Sequence, residues 1–166
     1  AARWRPMSRT FKREQPPQDL SLAPGSTGDD AVRLTARAAL SVRPSRIPGA
    51  GHGLFTTVTL PANAVVNGCT YGGKVMTLME ARRSKCKDYT MALHFNVHVD
   101  AANYPGYLAR YINDNLEQGG ARRNVKFVKD AEGRTARVMT LREVAVGEEL
   151  YAEYGDGYWR HRGESK

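Results

Sequence analysis

The strongest constraint on the fold is the way turn-forming residues interrupt the chain beyond Ala38. Glycine, proline and asparagine divide this part of the sequence into short apolar segments, and few stretches are long enough for a helix. Short apolar segments with such boundaries favour strands joined by tight turns. The pattern therefore predicts a β-rich α+β domain in which several short strands build the core.

Five segments are predicted to be strands because each combines β-branched or aromatic residues with a turn signal at one end. They are AALSVRP, which ends at Pro44; Gly53 to Thr57; Val65 to Tyr71, which Gly72 and Gly73 follow; and RNVKFVKD and RTARVMTL, which the turn Ala131-Glu132-Gly133 joins. A turn at Gly147 and a last strand after it are expected near the C-terminus.

The segment MALHFNVHVDA alternates between apolar and polar residues, which is typical of one half-buried strand. The two expected faces are Leu93, Phe95, Val97 and Val99 on one side and His94, Asn96, His98 and Asp100 on the other. No third ligand is nearby in the sequence, so the two histidines are interpreted as exposed strand residues and no metal site is predicted.

The segment TLMEARRSKCK is predicted to form a helix that packs through Leu78, Met79 and Ala81. Its outer face carries the basic residues Arg82, Arg83, Lys85 and Lys87. A solvated helix face is the simplest interpretation of these charges, and docking of a substrate or nucleic acid is the alternative. A short helical turn is expected over residues 107–111.

Size and composition restrict the class of protein. The 166 residues suit one domain with a tail, and no apolar run approaches the ~20 residues of a membrane-spanning helix. The N-terminus lacks the apolar core of a secretory signal. Cys69 and Cys86, interpreted as buried or incidental thiols, are too few for a disulfide scaffold, an all-cysteine zinc site or an iron–sulfur cluster. We expect a nuclear or cytoplasmic protein that is neither secreted nor membrane-bound.

The N-terminal part differs from the rest in charge and in its lack of apolar periodicity. Residues 1–37 carry seven Lys or Arg against four Asp or Glu and are predicted to be a basic, disordered arm. A domain over residues 38–160 and a tail over 161–166 follow. Because the first residue is not methionine, we expect a fragment of a longer protein. The net charge of +8 suits contact with nucleosomal DNA or nucleic acid, or solubility alone.

Four motifs follow one another in the predicted domain. They are Gly51-His52-Gly53; Tyr71-Gly72-Gly73; YLARYINDN over residues 107–115 with RNVKF over 123–127; and GEELYAEYGDGYW over 147–159. Taken alone, the first motif indicates a tight turn that lets a ligand approach the backbone. It lacks the third glycine of a dinucleotide-binding fold and the Lys-Ser/Thr of a phosphate loop.

In this order, the four motifs resemble those of the SET-domain family of S-adenosylmethionine-dependent protein-lysine methyltransferases. The resemblance extends from about Ala39 to Trp159 and is greatest to compact members that lack zinc-binding modules around the domain. It implies a SET-type fold of several small sheets with a C-terminal pseudoknot, in which the segment around Asn113 is threaded through the loop from Glu149 to Tyr154. It also implies S-adenosylmethionine as cofactor and a protein with an accessible lysine as substrate.

The resemblance further implies roles for individual positions. The implied cofactor-binding residues are Ala50, Gly51, His52, Gly53, Tyr89, Arg110, Tyr111, Asn113, Asp114 and Tyr154. The implied lysine channel comprises Tyr71, Phe127, Ala152 and Tyr158, with Tyr71 and Tyr154 as the catalytic residues. Asn124 matches a further asparagine of the family.

Two positions depart from the family's pattern. Asp114 stands where the family has a histidine that stabilises the pseudoknot and flanks the adenine, so weaker or rearranged cofactor binding is expected. Ala152 stands where many members carry a Phe or Tyr that limits the number of methyl groups. A roomier channel is expected, unless Tyr151, Tyr158 or Trp159 fills the gap.

The resemblance favours a protein-lysine N-methyltransferase that acts on a histone tail, with a non-histone protein as the next choice of substrate. The residue chemistry is compatible with this activity, because methyl transfer to an amine depends chiefly on alignment. Two other classes stay open: a SET-like module that binds a peptide or chromatin without turnover, which Asp114 suggests, and a basic nucleic-acid-binding module. Cofactor binding distinguishes the first two classes from the third, and turnover distinguishes the first from the second.

Overall fold

The computed structural model describes residues 39–84, 87–115 and 122–160. The strands in these ranges are β1 (Leu40–Pro44), β2 (His52–Thr56), β3 (Val65–Tyr71), β4 (Lys74–Met76), β5 (Thr90–His94), β6 (Val97–Asp100), β7 (Val125–Asp130) and β8 (Thr135–Thr140). The helices are α1 (Leu78–Arg83), the 3₁₀ helix η1 (Leu108–Tyr111) and α2 (Asp156–Arg160). None of the helices in these ranges has the length and apolar character needed to cross a membrane.

The strands pair antiparallel in three small sheets. β1 pairs with β2, β8 lies between β3 and β7, and β6 lies between β4 and β5. The β7–β8 hairpin keeps one register, from Val125 opposite Thr140 to Asp130 opposite Thr135. This arrangement confirms the predicted β-rich α+β class with several small sheets.

The five predicted strands are present, and their ends lie within two residues of the predicted ones. The helical turn expected over residues 107–111 is η1. Local turn chemistry and side-chain shape specify these elements, so they could be located without tertiary information. The arm over residues 1–37 and the tail over 161–166 lie outside the described residues, as do Lys85 and Cys86.

One apolar cluster takes side chains from all three sheets. Leu54 of β2, Val99 of β6 and Val138 of β8 are completely buried within it. Cys69 belongs to the same cluster, and burial raises the pKa of its thiol to about 12. This thiol therefore stays protonated at neutral pH, and the interpretation of Cys69 as a buried thiol is confirmed.

The alternating segment MALHFNVHVDA forms two strands, so the prediction of a single strand was wrong. β5 and β6 make a hairpin that turns at Phe95 and Asn96. The Asn96 side-chain oxygen accepts a hydrogen bond from the Leu78 backbone N–H at 3.0 Å. Phe95 is 77% exposed at the turn and His98 is buried, opposite to the predicted faces. A two-residue turn leaves the alternation of apolar and polar residues unbroken, so the pattern alone did not reveal it.

Helix α1 begins at a capping box and is short. The Thr77 hydroxyl accepts from the Glu80 backbone N–H at 3.3 Å, and the Glu80 carboxylate accepts from the Thr77 backbone N–H at 2.8 Å. Ala81 is buried, whereas Met79, predicted to pack inward, is exposed. Six residues make fewer than two turns, which is too few for the wide apolar face predicted from the sequence.

The segment after Gly147 contains no regular strand, so the prediction of a last strand was also wrong. The turn itself is present, with Gly147 at a φ of 80°. The chain beyond it makes isolated bridges, in which Glu149 pairs with Phe55 and Tyr151 pairs with Asn113. Successive residues thus face different neighbours, and no continuous ladder forms.

The core assignment predicts different costs for two leucine truncations. Leu54 is completely buried and Leu141 is 44% exposed. Leu54→Ala should lower the free energy of unfolding by about 2–5 kcal/mol, because it leaves a cavity. Leu141→Ala should change it by about 0.5 kcal/mol. Urea unfolding of both variants measures the difference, and equal losses would contradict this assignment of the core.

Candidate functional site

Two segments that are distant in sequence lie side by side at the centre of the candidate site. Asn113 and Tyr151 form a parallel bridge, and the Ala152 backbone N–H donates to the Asn113 carbonyl at 3.0 Å. The Tyr154 hydroxyl donates to the Ile112 carbonyl at 2.6 Å. These are the two segments that the predicted pseudoknot requires to meet.

Asn124 holds the second of these segments from another direction. Its side-chain amide donates to the Glu149 carbonyl, and its side-chain oxygen accepts from the Tyr151 backbone N–H, each at 2.9 Å. The residue is buried, so both polar atoms are paired where water is excluded. Asn124 therefore fixes the backbone from which the residues of the site extend.

Glu149 is a buried carboxylate that joins three parts of the chain. Its Oε1 accepts from the Ser45 hydroxyl at 2.6 Å and from the Asn113 amide at 3.3 Å. Its Oε2 accepts from the Arg46 backbone N–H at 2.7 Å and from the Tyr151 hydroxyl at 2.8 Å. A buried charge of this kind is tolerated only where donors replace the lost water. Glu149 therefore depends on the relative positions of all four donors.

The two glycines of the first motif differ in their surroundings. A Cβ at Gly53 would overlap the Glu149 carboxylate, so glycine is required there by packing. Gly51 has a φ of 75° and open space where a Cβ would lie. Its neighbours Ala50 and His52 are exposed. Gly51 thus forms an accessible backbone surface, while Gly53 leaves room for a buried charge.

Asn113 connects this glycine turn to the centre of the site. Its side-chain amide donates to the His52 carbonyl at 3.0 Å, in addition to its contacts with Ser45 at 3.3 Å and with Glu149. One side chain thus holds the turn and the buried carboxylate in a fixed relation. A ligand that lies on the turn therefore has a rigid base beneath it.

Tyr71 and Tyr154 are held in similar ways. The Tyr71 hydroxyl donates to the Tyr89 carbonyl at 2.7 Å, just as the Tyr154 hydroxyl donates to a backbone carbonyl. The Tyr71 ring meets Phe127 edge to face with centroids 5.7 Å apart. Burial is the main cause of a raised pKa at both hydroxyls. Both are therefore neutral at pH 7, and their oxygen lone pairs can accept a hydrogen bond from a ligand.

The C-terminal aromatic residues surround Tyr154. Tyr158 meets its ring edge to face with centroids 4.7 Å apart, and the Trp159 ring lies nearly parallel to it at 6.5 Å. Tyr158 and Trp159 also contact each other edge to face at 5.2 Å. Helix α2 thus adds two of the three rings of this cluster.

Arg110 is a buried cation that orders two further tyrosines. Its guanidinium lies 4.4 Å from the Tyr89 ring centroid and 5.1 Å from that of Tyr111, and its Nη2 donates to the Ala102 carbonyl at 3.0 Å. Cation–π contacts of this geometry are strongest where water is excluded. Arg110 thus sets the positions of residues 89 and 111, two of the implied cofactor-binding positions.

Asp114 is buried and faces the C-terminal segment. Its Oδ2 accepts from the Tyr154 backbone N–H at 2.9 Å and from the Trp159 indole N–H at 3.0 Å. Its Oδ1 lies 3.5 Å from an Arg123 guanidinium nitrogen, and the same guanidinium contacts Glu153 at 2.9 Å. The carboxylate therefore connects the first of the two central segments to helix α2.

The structure brings most of the implied site residues into one region. The contacts described above link the glycine turn (Gly51-His52-Gly53) to Asn113. They also link Asp114 to the tyrosine cluster, which consists of Tyr154 and Tyr158 with Trp159. Ala152 is different, because its side chain is completely buried in the apolar core.

Several residues that hold the site together could not be identified from the sequence. Ser45 has no recognisable signal, since a lone serine is common on any surface, and Arg123 is marked only as the first residue of the motif RNVKF. Trp159 is predicted only to fill space, and Glu149 only to lie in a loop. No local pattern records contacts as distant in sequence as that of Ser45 with Glu149, across 104 residues, or that of Trp159 with Asp114, across 45. Among the described residues, no group of three His, Cys, Asp or Glu side chains is placed to hold a metal ion.

This combination of small antiparallel sheets, two adjacent segments around Asn113 and Tyr151, and a tyrosine-lined site is that of a SET-type domain. The family model of the SET domain matches residues 51–155, which is more than half of the chain. The chain therefore belongs to the SET-domain family, whose members are generally S-adenosylmethionine-dependent protein-lysine methyltransferases. No curated protein sequence gives a significant match.

The residues present fit the cofactor that the family uses. Gly51 leaves open space beside accessible backbone, as a ligand that lies against the turn requires. The carboxamide of Asn115 is 1% exposed, and neither its oxygen nor its nitrogen has a hydrogen-bond partner within the ranges that the structure describes. A buried amide without partners is costly and marks a place where a polar ligand group can bind. Asn115, next to Asp114, was not among the residues predicted for this site.

The packing of Gly53 against Glu149 generates a stability prediction. Gly53→Ala should lower the free energy of unfolding by about 1–3 kcal/mol, because the methyl group displaces a buried, hydrogen-bonded carboxylate. Gly157→Ala is the matched control, since a Cβ there meets no atom within 4 Å and lies in helix α2. It should be neutral or slightly stabilising. Thermal unfolding of both variants measures this, and a Gly53→Ala variant as stable as the control would contradict the packing argument.

Proposed function

We propose that this chain is a protein-lysine N-methyltransferase that transfers a methyl group from S-adenosylmethionine to a lysine side chain, with a histone tail as the preferred substrate. The observation that supports it most directly is the pair Tyr71 and Tyr154. Both hydroxyls are neutral, and both donate their single proton to a backbone carbonyl. Their oxygens therefore present acceptors to the N–H groups of an amine.

The residues of the site supply alignment rather than acid–base chemistry. When bound, S-adenosylmethionine supplies an electrophilic methyl group on a positively charged sulfur. Acceptor oxygens at Tyr71 and Tyr154 would direct the amine lone pair, and fixed geometry of this kind accounts for much of the rate of an in-line displacement. Aromatic walls from Phe127 and Tyr158 would lower the pKa of the substrate lysine by excluding water, which favours the reactive neutral amine.

The cofactor is proposed to lie along the glycine turn and the segment around Asn113. Gly51 with its neighbours Ala50 and His52 would contact it through the backbone, and Asn113 would hold this turn in place. Tyr89 and Tyr111, ordered by Arg110, would contribute the aromatic side of the site. The unpartnered Asn115 amide would add a polar contact.

A second candidate is a SET-like module that binds a peptide or chromatin without turnover. The observation that favours it is Asp114, a buried carboxylate at the family's histidine position. Incubation with labelled S-adenosylmethionine, core histones and nucleosomes separates the two candidates. Label in a histone supports the enzyme, whereas cofactor binding without label in any substrate supports the module.

The role of Tyr154 generates a kinetic prediction. Tyr154→Phe should lower kcat by ~10²-fold with little change in cofactor affinity, because an oriented acceptor for the amine is lost. Tyr104→Phe is the matched control, since Tyr104 is 42% exposed and lies outside the tyrosine cluster. Radiometric turnover and calorimetric titration measure the two quantities. Equal kcat values for both variants would contradict a catalytic Tyr154.

The basic residues in and after helix α1 are relevant to the choice of substrate. Arg82, Arg83 and Lys87 are exposed, and we propose that they and the N-terminal arm contact nucleosomal DNA, which implies a nuclear location. Reversing the four charges at Arg82, Arg83, Lys85 and Lys87 should then reduce activity on nucleosomes far more than on a free histone peptide. Nucleosome activity should also fall steeply with salt, because phosphate contacts release counterions.

The control for this experiment reverses four other exposed charges, at Lys126, Lys129, Arg134 and Arg137. It alters the net charge equally but changes a different surface. A similar loss of activity in both variants, or a flat salt response, would indicate that the charge serves solubility and would favour a non-histone substrate.

A further inference from the structure

Asp114 is unusual in where its charge is placed. Its side chain is completely enclosed, and a single oxygen accepts hydrogen bonds from the Tyr154 backbone and from the Trp159 indole. These two donors lie five residues apart, on either side of the glycine at 155, whose φ is 84°. The carboxylate therefore determines the path of the chain between Tyr154 and Trp159.

We propose that Asp114 is a positioning residue for Tyr154, and that its carboxylate fixes the C-terminal aromatic cluster around the reacting amine. This inference rests on the proposed methyltransferase function. Its basis is that Tyr154 is held at both ends by one short stretch of chain. The hydroxyl donates to the Ile112 carbonyl at 2.6 Å, and the backbone N–H donates to Asp114 at 2.9 Å.

The requirement for a carboxylate follows from the donors that surround it. One oxygen accepts two N–H groups, and the other faces a guanidinium nitrogen of Arg123 at 3.5 Å. An asparagine could replace the first oxygen, but its NH₂ group would then face the cation. A histidine has one acceptor nitrogen and could not reproduce both functions. Arg123 also contacts Glu153, so one partly exposed guanidinium faces two carboxylates, the buried one of Asp114 and the exposed one of Glu153.

As a consequence, the rings of Tyr154, Tyr158 and Trp159 depend on one another for their positions. Tyr158 packs on Tyr154 at 4.7 Å, and Trp159 contacts both. Because helix α2 has only five residues, its own backbone gives it little stability. The bond from Trp159 to Asp114 therefore anchors the aromatic cluster, and a small displacement of Tyr154 is expected to be costly for catalysis.

Kinetics of Asp114→Asn and Trp159→Phe test the proposal in the full chain. Each should lower kcat roughly tenfold, because Tyr154 is displaced, while cofactor affinity measured by calorimetry stays unchanged. The double variant should be no slower than the slower single variant, since both changes break one linkage. Glu153→Gln is the control, because it removes a negative charge beside Arg123 without touching either aromatic residue, and its kcat should be unchanged.

Three results would overturn the proposal. Multiplicative losses in the double variant would show that Asp114 and Trp159 act independently. A loss of cofactor affinity at unchanged kcat would assign Asp114 to the cofactor instead of to Tyr154. Where Asp114→Asn fails to fold, Trp159→Phe alone tests the linkage, because it keeps a ring of aromatic character and removes only the N–H donor and some volume. An unchanged kcat in that variant overturns the proposal.

Fluorescence supplies a test that does not need turnover. The chain has two tryptophans, so a Trp4→Phe background leaves Trp159 as the only reporter. Asp114→Asn in this background should shift Trp159 emission to longer wavelength and increase its quenching by acrylamide, whereas Glu153→Gln should do neither. Unchanged quenching overturns the linkage. The Asp114→Asn substitution could change Trp159 fluorescence as expected while the wild-type protein shows no turnover. In that case the proposed enzymatic function fails, and the structural linkage between Asp114 and Trp159 stands.

Discussion

The buried carboxylate of Glu149 is the interaction on which the rest of the structure depends. Its oxygens accept from a hydroxyl, an amide, a backbone N–H and a phenol, which come from residues 45, 46, 113 and 151. A carboxylate enclosed at this depth is stable only if those donors are in place, because its lost hydration must be replaced. The need to stabilise the Glu149 charge therefore constrains the relative positions of these four residues. The absence of a side chain at Gly53 is part of the same requirement.

The segment from Ile112 to Asp114 links this charge to Tyr154. Three consecutive residues serve the C-terminal segment in turn: the Ile112 carbonyl accepts from the Tyr154 hydroxyl, the Asn113 carbonyl from the Ala152 backbone, and the Asp114 carboxylate from the Tyr154 backbone. Asn113 also contacts Glu149 directly. Asn113 therefore contacts the buried carboxylate, and its two neighbours in the chain, Ile112 and Asp114, contact Tyr154.

The sequence was sufficient to locate most strands and the chain segments that form the site, because both depend on local signals. Glycine, proline and β-branched residues marked β1 to β3 and the β7–β8 hairpin. The turn at Phe95 and Asn96 was missed because a two-residue turn does not disturb alternation. The segment after Gly147 has the composition of a strand, yet its partners come from different parts of the chain. The roles of Ser45 and Arg123 could not be found for the same reason.

Asp114 shows how a negative charge can be accommodated beside neutral tyrosine hydroxyls. Burial is the main cause of the raised pKa of the Tyr154 hydroxyl, and Tyr158, Tyr71 and Asp114 add to it. The carboxylate thus helps to keep the phenol protonated, while its pairing with Arg123 limits the field that reaches the rest of the site. A protonated phenol that donates to the Ile112 carbonyl must meet an amine as an acceptor. The charge at position 114 is therefore compatible with the proposed methyl transfer, because it favours the protonated phenol that the proposed orientation of the amine requires.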